Sequence, residues 1–211
     1  MIDERVYRKE SEKNMKKKGF TLVELLAVIA ILAILVIVAM PNVLGMFNQA
    51  KSSTFVTEVQ EYLNSASTKF MTEALKPGNQ GKTLVFGSYM YDSNSDGTPD
   101  KNAFDTLDMS GAEKNYYIEM DRNGNVVTAV LYDDNFCYAV KTSTSQAGGS
   151  LTDGTFKTLD KIDKTAVVVT DVVEHHNNDT VAPTVRTGST LSYTDITTYT
   201  VNGCAGQVAA Q

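Results

Sequence analysis

One apolar run decides what this chain can become. Leu25 to Met40 are 16 consecutive apolar residues, and from Phe20 to Met40 only Thr21 and Glu24 interrupt a 21-residue run. As a helix rising 1.5 Å per residue it spans about 31 Å, close to the hydrocarbon thickness of a bilayer. Nothing after Met40 resembles it. The chain therefore holds one membrane-length segment and a polar remainder.

The flanks orient that segment. Residues 1–19 carry seven basic side chains (Arg5, Arg8, Lys9, Lys13, Lys16, Lys17, Lys18) and four acidic ones (Asp3, Glu4, Glu10, Glu12), a net of +3. Three of the lysines abut the apolar run, so this end stays in the cytoplasm and the bulk of the chain is exported. Of 19 basic and 25 acidic residues, 12 and 21 then remain, a net of −9 on the exported part. That balance argues against nucleic acid as a partner, since backbone affinity needs Lys and Arg. A secretory signal would have a shorter apolar part and a small-x-small cleavage site. Here the run ends Val38-Ala39-Met40-Pro41. A plain single-span anchor passes on length.

The junction reads Lys16-Lys17-Lys18-Gly19-Phe20-Thr21-Leu22-Val23-Glu24-Leu25-Leu26. It closely resembles the class III signal of type IV pilins and pseudopilins: a basic leader ending in Gly, then Phe-Thr-Leu-hydrophobic-Glu, then an apolar helix. The resemblance covers about the first fifth of the chain. It implies that a membrane-embedded aspartyl prepilin peptidase cuts between Gly19 and Phe20 and N-methylates Phe20. Met15 offers a second start, with a five-residue leader. Glu24 becomes the fifth residue of the mature chain. The implied fold is α+β: a long N-terminal hydrophobic helix packed by its C-terminal half against an antiparallel β-sheet. The implied domains are a leader 1–19, a transmembrane and filament-core helix 20–41, an amphipathic helix half 42–76, and a globular part 77–211. The implied partners are further copies of the chain, other pilins, the prepilin peptidase and the membrane assembly platform. The implied location is the cytoplasmic membrane before assembly and an extracellular filament after it.

Elementary chemistry supports the motif. Gly19 lets an extended backbone lie close to a protease's catalytic groups. A carboxylate in a membrane segment costs about 2.5–3.5 kcal/mol at the bilayer centre and calls for a partner. The resemblance supplies one for Glu24, the free amine of Phe20 on a neighbouring subunit, which would fix the register of packed helices. By itself, Glu24 reads as an interfacial residue at headgroup level; within Gly19-Phe20-Thr21-Leu22-Val23-Glu24 the register role takes precedence.

Beyond the membrane segment, Val56, Val59, Leu63, Ala66 and Phe70 form a stripe at helical spacing. Lys76-Pro77-Gly78 stops it, so one helix is expected from about Phe20 to Leu75, bent or locally melted at Pro41 and Gly45. Residues 77–113 read as a long loop. Tyr116–Met120, Val126–Tyr132 and Phe136–Lys141 read as an antiparallel meander, with Asn123-Gly124 as a tight hairpin signal. One face of it would lie on the helix stripe. Residues 142–155 read as a low-complexity loop, and Lys164–Val173 and Leu191–Val201 as further strands.

Three groups carry possible chemistry. Cys137 and Cys204 are exported, where a bridge can form and would stabilise by about 4 kcal/mol in the chain-entropy model. It would pin the C-terminal segment to the sheet, as in many pilins; two free thiols are the alternative. Asp92, Asn94, Asp96, the Thr98 carbonyl and Asp100 follow the spacing of an EF-hand-like calcium loop, with Gly97 at its sixth position. Ala103 stands where the twelfth-position acid belongs, and an acidic surface turn fits the same residues. His175-His176 are adjacent, hence poor joint ligands. No other cofactor is expected, and no catalytic signature occurs. The resemblance implies a non-enzymatic structural subunit of a type IV pilus, serving adhesion or motility. The alternatives are a pseudopilin of type II secretion, a competence pilin, and a single-span membrane-anchored extracellular domain.

Overall fold

The computed structural model describes residues 20–88, 90–91, 101–102, 104–110, 114–148, 156–174, 199–201 and 203–204. Helix α1 runs Leu22–Glu73. Among the described residues ten strands follow in order: β1 Leu84–Gly87, β2 Met90–Tyr91, β3 Lys101–Asn102, β4 Asn115–Met120, β5 Val126–Tyr132, β6 Phe136–Thr142, β7 Ala147–Gly148, β8 Lys157–Leu159, β9 Val172–Glu174 and β10 Tyr199–Thr200. The arrangement is α+β. The chain divides into two compact units, the first ending at Phe47 and the second beginning at Asn48.

In the first unit the helix passes through Pro41 and Gly45 without interruption. The expected local melting is absent. Pro41 leaves the Ile37 carbonyl without its helical donor. Pro also accepts a helical φ, and many bonded turns on either side outweigh one lost bond.

In the second unit the helix stripe is buried as its spacing requires. Phe55, Val56, Val59, Tyr62, Leu63, Ala66 and Phe70 form a core with the sheet. Phe55 meets Phe136 at 5.7 Å between ring centroids, and Tyr62 meets Tyr116 at 5.0 Å. Tyr116 also reaches beyond the stripe: its hydroxyl accepts the Leu107 N–H at 2.7 Å, and burial pushes its pKa up to about 12.

The sheet runs β1-β4-β5-β6-β8, with β9 also on β6. The meander β4-β5-β6 is antiparallel as its turns dictate. Four other expectations are corrected. The stretch 77–113 is not all loop: Leu84-Val85-Phe86-Gly87 pairs antiparallel with β4 as an additional strand. The sheet is mixed, because β8 joins β6 in parallel while β9 joins the other end of β6 antiparallel. Lys164–Val173 is not one strand. Val167 is buried against the helix, Val168 and Val169 are exposed, and a 3-10 turn over Val169–Asp171 delays the strand to Val172. Within 142–155, Ala147 and Gly148 form β7, which pairs in parallel with β10. Of the expected strand Leu191–Val201, residues 191–198 lie outside the described residues.

The sheet is covered on both faces, whereas the sequence reading has one face buried, against the helix stripe. Tyr116, Ile118, Ala129, Leu131, Tyr138 and Val140 face the helix. Tyr117, Val130, Cys137 and Ala139 face a second core completed by Val85, Phe104, Ala147, Phe156, Val201 and Cys204. Strands buried on both faces become near-continuous apolar runs, as β4 to β6 are.

The hairpin after β4 is longer than a two-residue turn. Gly124 N–H donates to the Asp121 carbonyl at 3.0 Å, and Asp121 N–H to the Asn125 carbonyl at 2.9 Å. Gly124 takes φ +82°, as a three-residue loop with a glycine bulge requires. A Cβ there would stand 2.9 Å from Phe70 Cε1, so the glycine also lets the helix approach. Gly124→Ala is expected to lower stability by about 2 kcal/mol, from the left-handed backbone plus overpacking. Urea unfolding measures the loss. Phe70→Leu in the Gly124→Ala background should return the overpacking part only.

Candidate functional site

The N-terminal site is built on the first turn of α1. Thr21 directly precedes the helix, and its carbonyl accepts the Leu25 N–H at 3.2 Å. Glu24 Oε2 accepts both the Thr21 N–H, at 2.8 Å, and the Thr21 hydroxyl, at 2.9 Å. In return the Glu24 N–H donates to Thr21 Oγ1 at 3.3 Å. These reciprocal bonds are a capping box, which satisfies otherwise orphaned donors. Its signal is Thr21-x-x-Glu24. Reading Glu24 for assembly alone overlooks Thr21.

Phe20 is 86% exposed, and every residue from Thr21 to Ala50 is exposed as well. The helix contains one window long and apolar enough to cross a membrane. No charged side chain lies between Glu24 and Lys51. Such a surface is stable only against lipid or other apolar helices. Gly19, on the other side of the expected cleavage, lies outside the described residues.

Among the other expected sites, Cys137 and Cys204 are joined by a disulfide, with Cα atoms 5.9 Å apart and a sequence separation of 67. Asp92, Asn94, Asp96, Thr98 and Asp100 lie outside the described residues, as do His175 and His176. The run 92–100 connects β2 to β3, which pair antiparallel. Among the described residues no group of three or more His, Cys, Asp or Glu is placed to hold a metal ion.

No residue pattern signals the charged hub that joins α1 to the β5–β6 turn. Lys114 Nζ lies 2.7 Å from Asp133 Oδ2, 3.0 Å from Glu58 Oε2, and 5.5 Å from the Phe55 ring centre. Asp133 Oδ1 accepts the N–H groups of Asn135 and Phe136. A pocket of about 230 Å³ opens beside them, lined also by Lys51 and Thr54. Burial alone would lower the Lys114 pKa, but its bonds to Asp133 and Glu58 outweigh burial and raise it. Burial alone would raise Asp133, but Lys114 and the two backbone donors hold it below the usual carboxylate range. The hub thus holds opposite charges in place and ties α1 to the β5–β6 turn.

Residues 14–40 match the family model described as the prokaryotic N-terminal methylation motif. This is the class III signal of type IV pilins, and the match runs from the basic end of the leader through Met40. No curated protein and no solved structure matches the chain. The motif supports a pilin-like or pseudopilin protein. It implies processing by a prepilin peptidase and assembly with pilins in general. With the apolar helix it fits anchoring in the membrane before assembly, and it points to a structural protein.

The hub has a definite pH signature. Asp133, with its lowered folded pKa, contributes stability that is fully present above the unfolded value of about 4 and is lost as pH falls through the folded value. Lys114, with its raised folded pKa, contributes stability that is present below about 10.4 and is lost as pH rises through the folded value. Asp133→Asn is expected to lower stability at neutral pH and to flatten the acid limb below about pH 4. Urea midpoints across pH, with wild type alongside, measure both effects.

Proposed function

We propose that the protein is a structural subunit of a type IV pilus, which polymerises through its N-terminal helix into a surface filament for adhesion or motility. One observation carries the reading: the methylation motif runs into a helix whose apolar side chains are all exposed from Leu22 to Phe47. The membrane satisfies that helix before assembly, and neighbouring helices replace lipid afterwards. The second unit, with its own core, is the exported part.

The processing step is tested first. The mature chain is expected to begin at N-methylated Phe20, read by mass spectrometry and N-terminal sequencing of membrane or filament material. Gly19→Val should leave uncleaved precursor. A mature chain starting after Met40 would mean an ordinary secretory signal and would sink the reading.

Assembly is tested at Glu24. Gln also serves in a capping box, so Glu24→Gln keeps the helix start while removing the charge. Insertion and cleavage should stay near wild type, and shear-released filament should fall strongly on immunoblot. Normal filament yield would show that packing alone sets the register.

The Asp92–Asp100 run favours a second reading, a pseudopilin of type II secretion with bound calcium; a competence pilin has no comparable support. Calcium bound only by the folded state raises the melting temperature by mass action. A calcium-dependent rise that Asp96→Ala abolishes would support the loop. No rise in the parent protein would return the run to an acidic turn.

A further inference from the structure

The second core is closed by chain that arrives from far away in sequence. Val201 and Cys204 pack there with Tyr117, Val130 and Cys137. Between β10 and the rest of the described chain, the pairing is two residues long: Tyr199 opposite Ala147 and Thr200 opposite Gly148. So short a pair is not stable unsupported. β7 can serve as its template only if β7 is itself held.

Glu119 holds it. This side chain is fully buried on the second face of β4. Its carboxyl accepts four hydrogen bonds: from Thr128 Oγ1 on β5 at 2.8 Å, Ser145 Oγ at 3.1 Å, Gln146 N at 2.9 Å and Ala147 N at 3.2 Å. Three of the four donors belong to the segment that runs into β7. Hydrogen bonds to a buried carboxyl are among the stronger ones, and leaving that group unsatisfied is costly.

We propose that Glu119 is a positioning residue for the oxidation of Cys137 and Cys204. Its carboxyl seats residues 145–147 on the sheet; the seated segment presents β7 to β10; paired β10 brings Cys204 to Cys137. The chemistry is thiol–disulfide exchange with a small disulfide oxidant such as oxidised glutathione. One cysteine thiolate attacks the oxidant, forming a mixed disulfide and releasing one glutathione thiolate. The other cysteine thiolate then attacks the mixed disulfide, forming the Cys137–Cys204 bond and releasing the second. The two cysteine thiols are oxidised, glutathione disulfide is reduced, and the two protons lost by the cysteines are taken up by the released thiolates. Glu119 acts on the second, intramolecular step, because a separation of 67 residues makes the encounter rare in an open chain.

The test uses the full chain in detergent micelles, reduced and then placed in glutathione redox buffer. Alkylation and mass spectrometry follow the disulfide. Glu119→Gln is expected to lower both the closure rate and the equilibrium constant about tenfold, the scale of one hydrogen bond to a charged group. Gly124→Ala, which acts on the opposite face through Phe70, is the control for general destabilisation. An equal fall in both variants would overturn the proposal. Ser145→Ala keeps the carboxyl, removes one donor and should give an intermediate fall; it decides the matter if Glu119→Gln does not fold, and wild-type closure in Ser145→Ala would overturn the proposal. Hydrogen exchange checks the order of events. In reduced wild type the Gln146 and Ala147 amides should remain protected. Exchange at unfolded-chain rates there would mean that the disulfide seats the segment, and the proposal would fail.

Discussion

The interaction on which everything else depends is one the chain does not make within itself. From Leu22 to Phe47 the helix exposes Leu, Ile, Val, Met and Phe side chains on every face. At about 25 cal/mol per Å² of apolar surface, that exposure is untenable in water. The helix therefore needs lipid or other helices. The second unit must then build a core from its own residues, because the most hydrophobic part of the sequence is committed elsewhere. Phe55 to Phe70 supply one face of that core, and the strands supply the rest.

Three kinds of tether keep the second unit together, each answering a different physical problem. Gly124 solves a steric one, letting the β4–β5 hairpin turn and Phe70 approach at the same point. Lys114 solves an electrostatic one, joining Glu58 on the helix with Asp133 on the β5–β6 turn. Glu119 and the Cys137–Cys204 bridge solve a topological one, covering the second face with distant chain. Residues 156–174 add a strap that passes from one core to the other. Phe156 lies in the second core and Ile162 and Val167 in the first, with Lys157 paired to Asp171. Gln60 Nε2 donates to the Val167 carbonyl at 3.3 Å and fixes the strap to the helix.

Legibility in the sequence followed the range of the interaction. The apolar run, the stripe from Val56 to Phe70 and the meander are periodic or local patterns, and composition alone locates them. β1 has only Leu84-Val85-Phe86 to show, inside a stretch dominated by turn formers. β7, β8 and β9 are two or three residues long and exist because β6 or β10 lies alongside. Val167-Val168-Val169 has high strand propensity, yet Val167 packs on the helix while its neighbours turn outward, so tertiary placement overrides propensity. The buried Glu119 carries no mark in sequence beyond being one polar residue in the otherwise apolar run Tyr116–Met120. Only the presence of a second cover makes that position interior. At the N-terminal site, Glu24 was legible from its place in the apolar run, whereas the Thr21-x-x-Glu24 capping signal is passed over when Glu24 is read for assembly alone.

That cap bears on how one carboxyl can serve both a single chain and an assembly. In the single chain, both bonds from Thr21 converge on Glu24 Oε2. Among the described residues, Oε1 accepts no hydrogen bond. A carboxylate offers about four lone-pair sites over its two oxygens. In the assembly proposed above, a neighbour's terminal amine would meet Oε1 while Thr21 keeps Oε2. On that proposal the helix start would not have to open for the subunit to dock. The geometry thus separates two demands that a shared oxygen would set against each other. The spacing of three is what the cap itself requires: it brings the Glu24 carboxyl back over the exposed first turn to the Thr21 N–H and hydroxyl.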